Sequence, residues 1–301
     1  MSKTAAPARL PEWLKVKMPT GENYERLKEA SRTRGLATVC EEARCPNIAE
    51  CWGGGTATFM VMGDSCTRGC RFCSVKSEAR PPAPSADEPT KLAQTLGEMK
   101  LEYVVLTTVC RDDLPDQGAS HLAACIRTVK DHCPKMKLEI LAQDFRGDLR
   151  LVEQVIDAGP DVFAHNVECV ERLTPTVRDA KAGYRQSLDV LAHAKKYKLG
   201  LPTKSSIMLG LGESEQEIEK TLKDLRSVSC DIVTLGQYLR PSGVGRNLPV
   251  SEFVTPETFD RLGALARSFG FLFVASGPFV RSSYRAAELF LKGHLEKTVA
   301  A

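Results

Sequence analysis

The chain has 301 residues, 43% of them hydrophobic, and a net charge of +3. Its length suits one large domain or two small ones, and its composition is typical of a soluble globular protein. The small basic excess does not indicate nucleic acid or a membrane surface as a partner, and no run approaches the roughly 18 apolar residues of a membrane span. The N-terminus lacks the apolar core of a secretory signal, so we expect a cytoplasmic protein in a reducing compartment.

The elements predicted along the chain fall into two regions. Residues 1–55 show no strong periodicity and are predicted to form an N-terminal extension. From residue 56 onward, apolar runs alternate with amphipathic stretches, which predicts strands separated by helices. This order favours an α/β fold with a parallel sheet, in which six or seven units form a whole or partial barrel. The predicted strands are 56–63, 103–109, 137–143, 161–168, 203–210, 231–239 and 271–277.

Six of the eleven cysteines lie between residues 40 and 73, in two groups of three. In a reducing compartment, closely spaced thiols are more often metal ligands or catalytic groups than disulfides. An odd total also fits a closed disulfide framework badly. The first group has the spacing C-x4-C-x5-C and the second C-x3-C-x2-C; the two groups are Cys40, Cys45 and Cys51, and Cys66, Cys70 and Cys73.

The second cysteine group follows the first predicted strand directly, in a strand-to-helix connection. Parallel barrels carry their catalytic groups in these connections, at the carboxyl ends of the strands. A structural zinc site needs four ligands, so each group is one ligand short, although zinc remains an alternative. An iron–sulfur cluster held by three thiolates keeps one iron open for a substrate, and the soft thiolates match iron.

This second group resembles the signature of the radical S-adenosylmethionine superfamily, with Phe72 as the aromatic residue before the third cysteine. The resemblance implies a partial (β/α)6 TIM-like barrel with N-terminal and C-terminal extensions. It also implies a 4Fe–4S cluster on Cys66, Cys70 and Cys73 that binds S-adenosylmethionine. One electron then cleaves the sulfonium and releases a 5′-deoxyadenosyl radical, which abstracts hydrogen from an unactivated carbon.

The two cysteine groups together resemble the lipoyl synthase family. The resemblance extends from residue 11 to about residue 287 and rests on "CEEARCPNIAECW", "CTRGCRFCSV", "RDDL", "HNVE" and "GPFVRSSYRA". It implies that the first group binds an auxiliary 4Fe–4S cluster, which is dismantled to supply sulfur. It also implies that the substrate is an octanoyl chain on a lysine of a carrier protein, with sulfur inserted at carbons 6 and 8.

The same resemblance implies the partners and the division of the chain. We expect octanoylated carriers, namely the glycine cleavage H protein and the lipoyl domains of 2-oxoacid dehydrogenases. We also expect a flavodoxin- or ferredoxin-type electron donor and an iron–sulfur carrier, but no nucleic acid and no membrane. Residues 1–55 would carry the auxiliary cysteines, residues 56–280 the barrel, and residues 281–301 a segment that closes over the auxiliary cluster.

Four residues are implied as S-adenosylmethionine contacts on the fourth and fifth predicted strands. Asn166 and Glu168 in "HNVE" would reach the cofactor, and the alternative is that either one caps a helix. Lys204 and Ser206 would meet the methionine carboxylate. The alternative for a lysine on a barrel strand is a polar interior site or the surrounding helices.

Two further positions complete the expected site. Arg111, in "RDDL", offers a guanidinium fork for a carboxylate, and it follows Cys110, where the family usually has a polar residue. Ser283, immediately before the tyrosine of "RSSY", would be the fourth ligand of the auxiliary cluster, and the alternative is a helix N-cap. Alternative functions are another sulfur-inserting enzyme, similar to biotin synthase or a tRNA methylthiotransferase, and a metal-binding module without activity.

Overall fold

Parallel strands form the main sheet of the protein. The computed structural model describes residues 10–15, 38, 56–99, 101–241 and 245–283. The strands of this part of the chain are β1 (Thr56–Val61), β2 (Ser65–Cys66), β3 (Lys76–Ser77), β4 (Tyr103–Thr108), β5 (Lys137–Leu141), β6 (Val162–Ala164), β7 (Thr203–Leu209), β8 (Ile232–Gln237) and β9 (Phe273–Gly277).

The main sheet has the order β1-β4-β5-β6-β7-β8-β9, so each strand pairs with the next one along the chain, and β1 and β9 are its edges. Every pairing is parallel. The predicted α/β fold with a partial barrel is therefore confirmed. All strands end at one rim, which we call the carboxyl rim: the segments that follow β1 and β4 to β9.

Helices connect the strands and cover the outside of the sheet. Their sequences are amphipathic, and the apolar positions pack against the outward side chains of the strands. The capping box of Ser214 and Glu217 fixes one helix start, because each side chain accepts a hydrogen bond from the other residue's backbone amide. The helices are α1 (Glu88–Met99), α2 (Ala119–His132), α3 (Leu149–Ile156), α4 (Thr174–Val177), α5 (Tyr184–Tyr197), α6 (Glu215–Ser227) and α7 (Pro256–Ser268).

Six of the seven predicted strands end one to four residues earlier than predicted, and the backbone shows the reason at two of them, β1 and β6. β1 stops at Val61 because Met62 and Gly63 have positive φ angles of 69° and 87°, which extended backbone does not allow. β6 stops at Ala164, and the chain then pairs with β7 again at a bridge between Glu168 and Ile207. Both departures occur at the carboxyl rim, where the chain turns toward the site.

The inside of the barrel is closed near the amino ends of its strands. Tyr103, Val105, Val162 and Ile232 form a small buried cluster there. Buried side chains therefore fill this layer, and the carboxyl rim is the opposite end of the barrel. No helix in the described ranges is long and apolar enough to cross a membrane.

Candidate active site

The second cysteine group lies at the carboxyl rim, with Cys66 at the end of β2 and Cys70 and Cys73 in the loop between β2 and β3. These two short strands pair in parallel, Cys66 opposite Ser77, and so bring the two ends of the loop together. The sequence did not predict this ribbon. Cys66, Cys70 and Cys73 are free thiols of intermediate exposure.

Each cysteine sulfur accepts backbone hydrogen bonds. Cys66 Sγ accepts from the amides of Arg68, at 3.4 Å, and Cys110, at 3.3 Å. Cys70 Sγ accepts from the amide of Asp179 at 3.3 Å, and Cys73 Sγ accepts from an amide two residues on, at 3.4 Å. Hydrogen bonds to the charged form stabilise a thiolate, which is the form that binds metals.

The three thiols differ in acidity. The hydrogen bond with the Cys110 side chain is the largest influence on Cys66 and, with backbone amides, lowers the pKa of that thiol to about 6. Burial raises the pKa of Cys70, and it raises the pKa of Cys73 to about 11. Soft thiolates grouped on one short loop match the ligand set of an iron–sulfur cluster, so the residues fit that group.

Asn166 and Glu168 lie together at the carboxyl rim. Asn166 Nδ2 donates to Glu168 Oε1 at 3.1 Å, and Asn166 Oδ1 accepts from the Ser282 hydroxyl at 3.2 Å. Glu168 has a φ of 68°, a left-handed conformation rare for a residue with a side chain. Burial raises the pKa of its carboxyl. A strained acidic residue at the open end of a barrel is typical of a ligand-binding position.

Ser206 lies on β7 with its hydroxyl toward β8. It accepts a hydrogen bond from Thr234 Oγ1 at 2.8 Å, and its backbone carbonyl accepts from the Glu168 amide at 3.0 Å. Ser206 is therefore linked directly to Glu168 at the carboxyl rim, so these two expected cofactor contacts are neighbours.

Lys204 lies in the closed layer of the barrel and not at the rim. Its ammonium group donates to both carboxylate oxygens of Glu139, at 2.8 and 2.9 Å, and neither side chain is exposed. Tyr103 donates a further hydrogen bond to Glu139 at 2.8 Å. Of the two readings of this lysine, the described contacts match the polar interior site.

The Arg111 fork holds a carboxylate of this chain. Its Nε and Nη2 atoms each donate to Asp113 at 2.8 Å. The side chain is 1% exposed, and its Nη1 atom has no hydrogen-bond partner among the described residues. Asp113 thus occupies the geometry that we expected a cofactor carboxylate to use.

Ser283 is the last described residue of its segment, in the turn that follows β9. Its neighbour Ser282 reaches Asn166, so this segment does arrive at the carboxyl rim. Cys40, Cys45 and Cys51 lie outside the described residues, and their grouping with Ser283 stays a prediction.

Sequence reasoning missed the residues that back the cysteine loop from distant positions. Asp179 is 109 residues from Cys70, to which its amide donates, and it also accepts from the Gly69 amide at 2.7 Å. Asn247 donates to the Cys73 carbonyl at 2.9 Å across 174 residues. Only the spacing within the motif is local, so no sequence pattern could reveal these partners.

Comparison with known proteins identifies the family. The chain matches the model of the Radical SAM superfamily over residues 60–225, and the model of the N-terminal domain of lipoyl synthase over residues 1–45. It is 58% identical to the lipoyl synthase of Myxococcus xanthus over 289 residues, which cover 96% of each chain. The chain belongs to the lipoyl synthase family. It is also 54% identical to the mitochondrial lipoyl synthase of Candida tropicalis, covering 96% of this chain and 78% of that one.

Two solved structures share the fold at low sequence identity. The FeFe-hydrogenase maturase HydG from Carboxydothermus hydrogenoformans superimposes with a TM-score of 0.57 at 12% identity, covering 90% of this chain and 80% of that one. Methylornithine synthase superimposes with a TM-score of 0.55 at 15% identity, covering 86% and 79%. Membership in the lipoyl synthase family makes the chain a radical S-adenosylmethionine enzyme that uses iron–sulfur chemistry, so the metal-binding module without activity is not supported.

Proposed function

We propose that this protein is a lipoyl synthase that inserts two sulfur atoms, at carbons 6 and 8, into an octanoyl chain on a lysine of a carrier protein. The observation that carries the proposal is the loop of Cys66, Cys70 and Cys73 at the carboxyl rim of a partial barrel. The chain around this loop is more than half identical to lipoyl synthases over nearly its whole length.

The three loop cysteines would hold one 4Fe–4S cluster. When bound, that cluster supplies the electron that cleaves S-adenosylmethionine and so provides the 5′-deoxyadenosyl radical for hydrogen abstraction. Amides of the loop donate to Cys66 and Cys73, and the Asp179 amide donates to Cys70, so each ligand has a donor that favours its thiolate form. The rim position opens the loop toward the interior of the barrel mouth, where a substrate chain can approach.

Asn166 and Glu168 are the proposed contacts for S-adenosylmethionine. A carboxylate suits the cofactor's amino group, and the Asn166 amide holds the Glu168 carboxylate in place at 3.1 Å. We keep Ser206 as a further contact, because its carbonyl binds the Glu168 amide. We assign Lys204 and Arg111 to support of the barrel and rim, because Glu139 binds the Lys204 ammonium and Asp113 binds the Nε and Nη2 atoms of Arg111.

A second 4Fe–4S cluster is proposed as the sulfur donor. Its ligands would be the cysteines of the N-terminal extension and Ser283 of the C-terminal segment, so that residues 1–55 and 281–301 flank the barrel of residues 56–280. A hydroxyl is a harder ligand than a thiolate and mismatches a sulfur-rich cluster. A serine–iron bond would therefore break readily in a cluster that gives up its sulfur. The proposed cysteine ligands of this cluster are Cys40, Cys45 and Cys51.

The substrate would be an octanoylated protein, as the reaction requires. We propose the glycine cleavage H protein and the lipoyl domains of 2-oxoacid dehydrogenases as carriers, with a flavodoxin or ferredoxin as electron donor and an iron–sulfur carrier to rebuild the consumed cluster. The many free thiols are compatible with a reducing compartment such as the cytoplasm.

One pair of variants tests the division of labour between the clusters. Cys70→Ala should abolish S-adenosylmethionine cleavage, because the loop cluster loses a ligand. Cys45→Ala should retain cleavage to 5′-deoxyadenosine but form no lipoyl product. Both proteins are reconstituted anaerobically and assayed with an octanoyl-lysyl peptide, and the wild type should bind about eight iron atoms, four for each cluster. Equal loss of cleavage in two folded variants would refute the two-cluster assignment.

Ser283→Ala tests the proposed fourth ligand. We expect 5′-deoxyadenosine to form while the lipoyl product falls sharply, because the auxiliary cluster loses its releasable ligand. Peptide mass reports the product, and iron analysis reports the cluster content. Lipoyl product at the wild-type rate would reduce Ser283 to a turn residue or helix cap.

A further inference from the structure

A buried arginine inside the cysteine motif connects the loop to the barrel. Arg68 stands between Cys66 and Cys70 in sequence and is 4% exposed. Its Nε and Nη2 atoms donate to the two carboxylate oxygens of Asp112, at 3.0 and 2.9 Å. On its other side, Nη1 and Nη2 lie 2.9 and 2.7 Å from the two oxygens of Asp144. One guanidinium therefore holds two carboxylates, each in a two-point contact.

These two carboxylates belong to neighbouring strands. Asp112 follows β4 and Asp144 follows β5, so both stand at the carboxyl rim. Both side chains are at least 97% buried, with exposures of 3% and 0%. Burial opposes the ionisation of Asp144, but its hydrogen bonds with Arg68 lower its pKa to about 2. The ion pairs are thus formed in the charged state, and the Arg68 fork fixes the loop to two strand ends.

A second connection closes the ring on the far side of the loop. Arg178 Nη2 lies 3.8 Å from Asp144 and its Nη1 donates to Ser187 at 2.8 Å. The next residue, Asp179, binds the Gly69 amide through its carboxylate and donates its own amide to Cys70 Sγ. The contacts therefore lead from Arg68 through Asp144 and Arg178 to Asp179, which binds the cysteine loop again at Gly69 and Cys70.

The residue type at position 68 follows from this geometry. Three N–H groups of the Arg68 guanidinium donate hydrogen bonds, and Nη2 makes a further ion-pair contact with Asp144, in a planar arrangement that two carboxylates can share. A lysine ammonium carries the same charge but cannot make two such forks. The exposed Arg71, in the same loop, makes a single side-chain hydrogen bond, to the Arg246 carbonyl at 3.0 Å, and provides a matched comparison.

We propose that Arg68 is the positioning residue of the cysteine loop: its two forks to Asp112 and Asp144 hold Cys66 and Cys70 ready for the iron–sulfur cluster, and its charge favours reduction of that cluster. The proposal rests on the proposed function, because it takes the loop to be a cluster site. Reduction adds negative charge, and a buried cation in the same loop stabilises it.

The first test measures the loop in the cluster-free protein. Arg68→Lys should accelerate amide hydrogen exchange of residues 66–73 relative to wild type, with the exchange of β7 and β8 unchanged. Arg71→Lys should leave the loop at the wild-type rate. Equal exchange of the loop in wild type and Arg68→Lys would overturn the positioning role, and this measurement does not depend on any cluster or activity.

The second test measures the loaded loop cluster in a Cys45→Ala background, so that the auxiliary cluster does not contribute. Iron release to a chelator should be roughly 10- to 100-fold faster in Arg68→Lys, as is usual for groups that orient metal ligands. Arg68→Met should release iron at least as fast and should also have a lower reduction potential in the fraction that loads, whereas Arg68→Lys keeps a potential near that of wild type. A mere loss of folding would change the loaded fraction but not its potential.

The outcomes separate this inference from the proposed function. If the Cys45→Ala protein, which keeps the native Arg68, binds no iron–sulfur cluster, the cluster site itself is refuted. If it binds one and Arg68→Lys retains iron as well, the positioning role is refuted. An unchanged reduction potential in Arg68→Met refutes the proposed effect of the Arg68 charge. Asp112→Asn removes one fork and keeps the arginine, so it gives the same iron-release test should Arg68→Met fail to fold.

Discussion

The buried pair of Lys204 and Glu139 allows the sharpest test of how the barrel uses its polar residues. Lys204→Met keeps the side-chain volume but leaves Glu139 fully buried with the Tyr103 hydroxyl as its remaining described donor. Removing one partner of a buried ion pair costs about 3–5 kcal/mol. With about 2.1 cal/mol/K of unfolding entropy per residue over 301 residues, this corresponds to a decrease in Tm of roughly 5–8 °C.

The assay compares stability with cofactor binding in the reconstituted enzyme under anaerobic conditions. Circular dichroism gives Tm, and calorimetry gives the Kd of S-adenosylmethionine. The matched control is Lys204→Met with Glu139→Gln, which removes the stranded charge and should recover most of the lost stability. We expect the Kd to remain at the wild-type value in both. A weakened Kd with an unchanged Tm would refute the interior assignment and return Lys204 to the cofactor site.

Three further predictions concern pH, the C-terminal turn and the substrate. Burial lowers the pKa of His165 from 6.5 to about 4, so the unfolded chain takes up the proton first as the pH decreases. The free energy of unfolding should therefore fall by up to about 3 kcal/mol between pH values of about 6.5 and about 4. Urea unfolding of cluster-free wild type and His165→Asn measures this, and an equal pH slope in both proteins contradicts it. In Gly236→Ala, the new Cβ would lie far inside contact distance of the Val280 carbonyl and displace the turn that leads to Ser283. Lipoyl product should therefore fall while 5′-deoxyadenosine persists. The control is Gly245→Ala, whose Cβ would have nothing within 4 Å, and equal lipoyl product in both variants would exclude this coupling. Free octanoate keeps the burial of its chain, about 0.8 kcal/mol per methylene, but lacks the carrier contacts. It should therefore be thiolated at least roughly tenfold more slowly than an octanoyl-lysyl peptide, a difference of about 1.4 kcal/mol. Equal rates, measured by product mass, would count against a carrier-bound substrate.

The sequence by itself predicted the features that depend on neighbouring residues. The spacing of Cys66, Cys70 and Cys73 is a property of one short loop, and the alternation of apolar runs with amphipathic stretches follows from the periods of strands and helices. Those patterns were sufficient for a parallel α/β sheet and for the placement of the cysteine loop after its first strand, whereas the partial barrel was implied by the family resemblance. They also placed Asn166 and Glu168 at the rim, although the strand before them is shorter than its apolar run.

Tertiary structure decided which charged groups meet, because a lone charged residue in a sequence does not specify its partner. Lys204 pairs with Glu139 across 65 residues, and Arg68 pairs with Asp144 across 76. A buried charge must be paired, and the closest opposite charge in the folded barrel is set by strand register and not by distance along the chain. The sequence therefore specified the spacing of the three loop cysteines, whereas the fold alone determined that Lys204 meets Glu139 and that Arg68 meets Asp112 and Asp144.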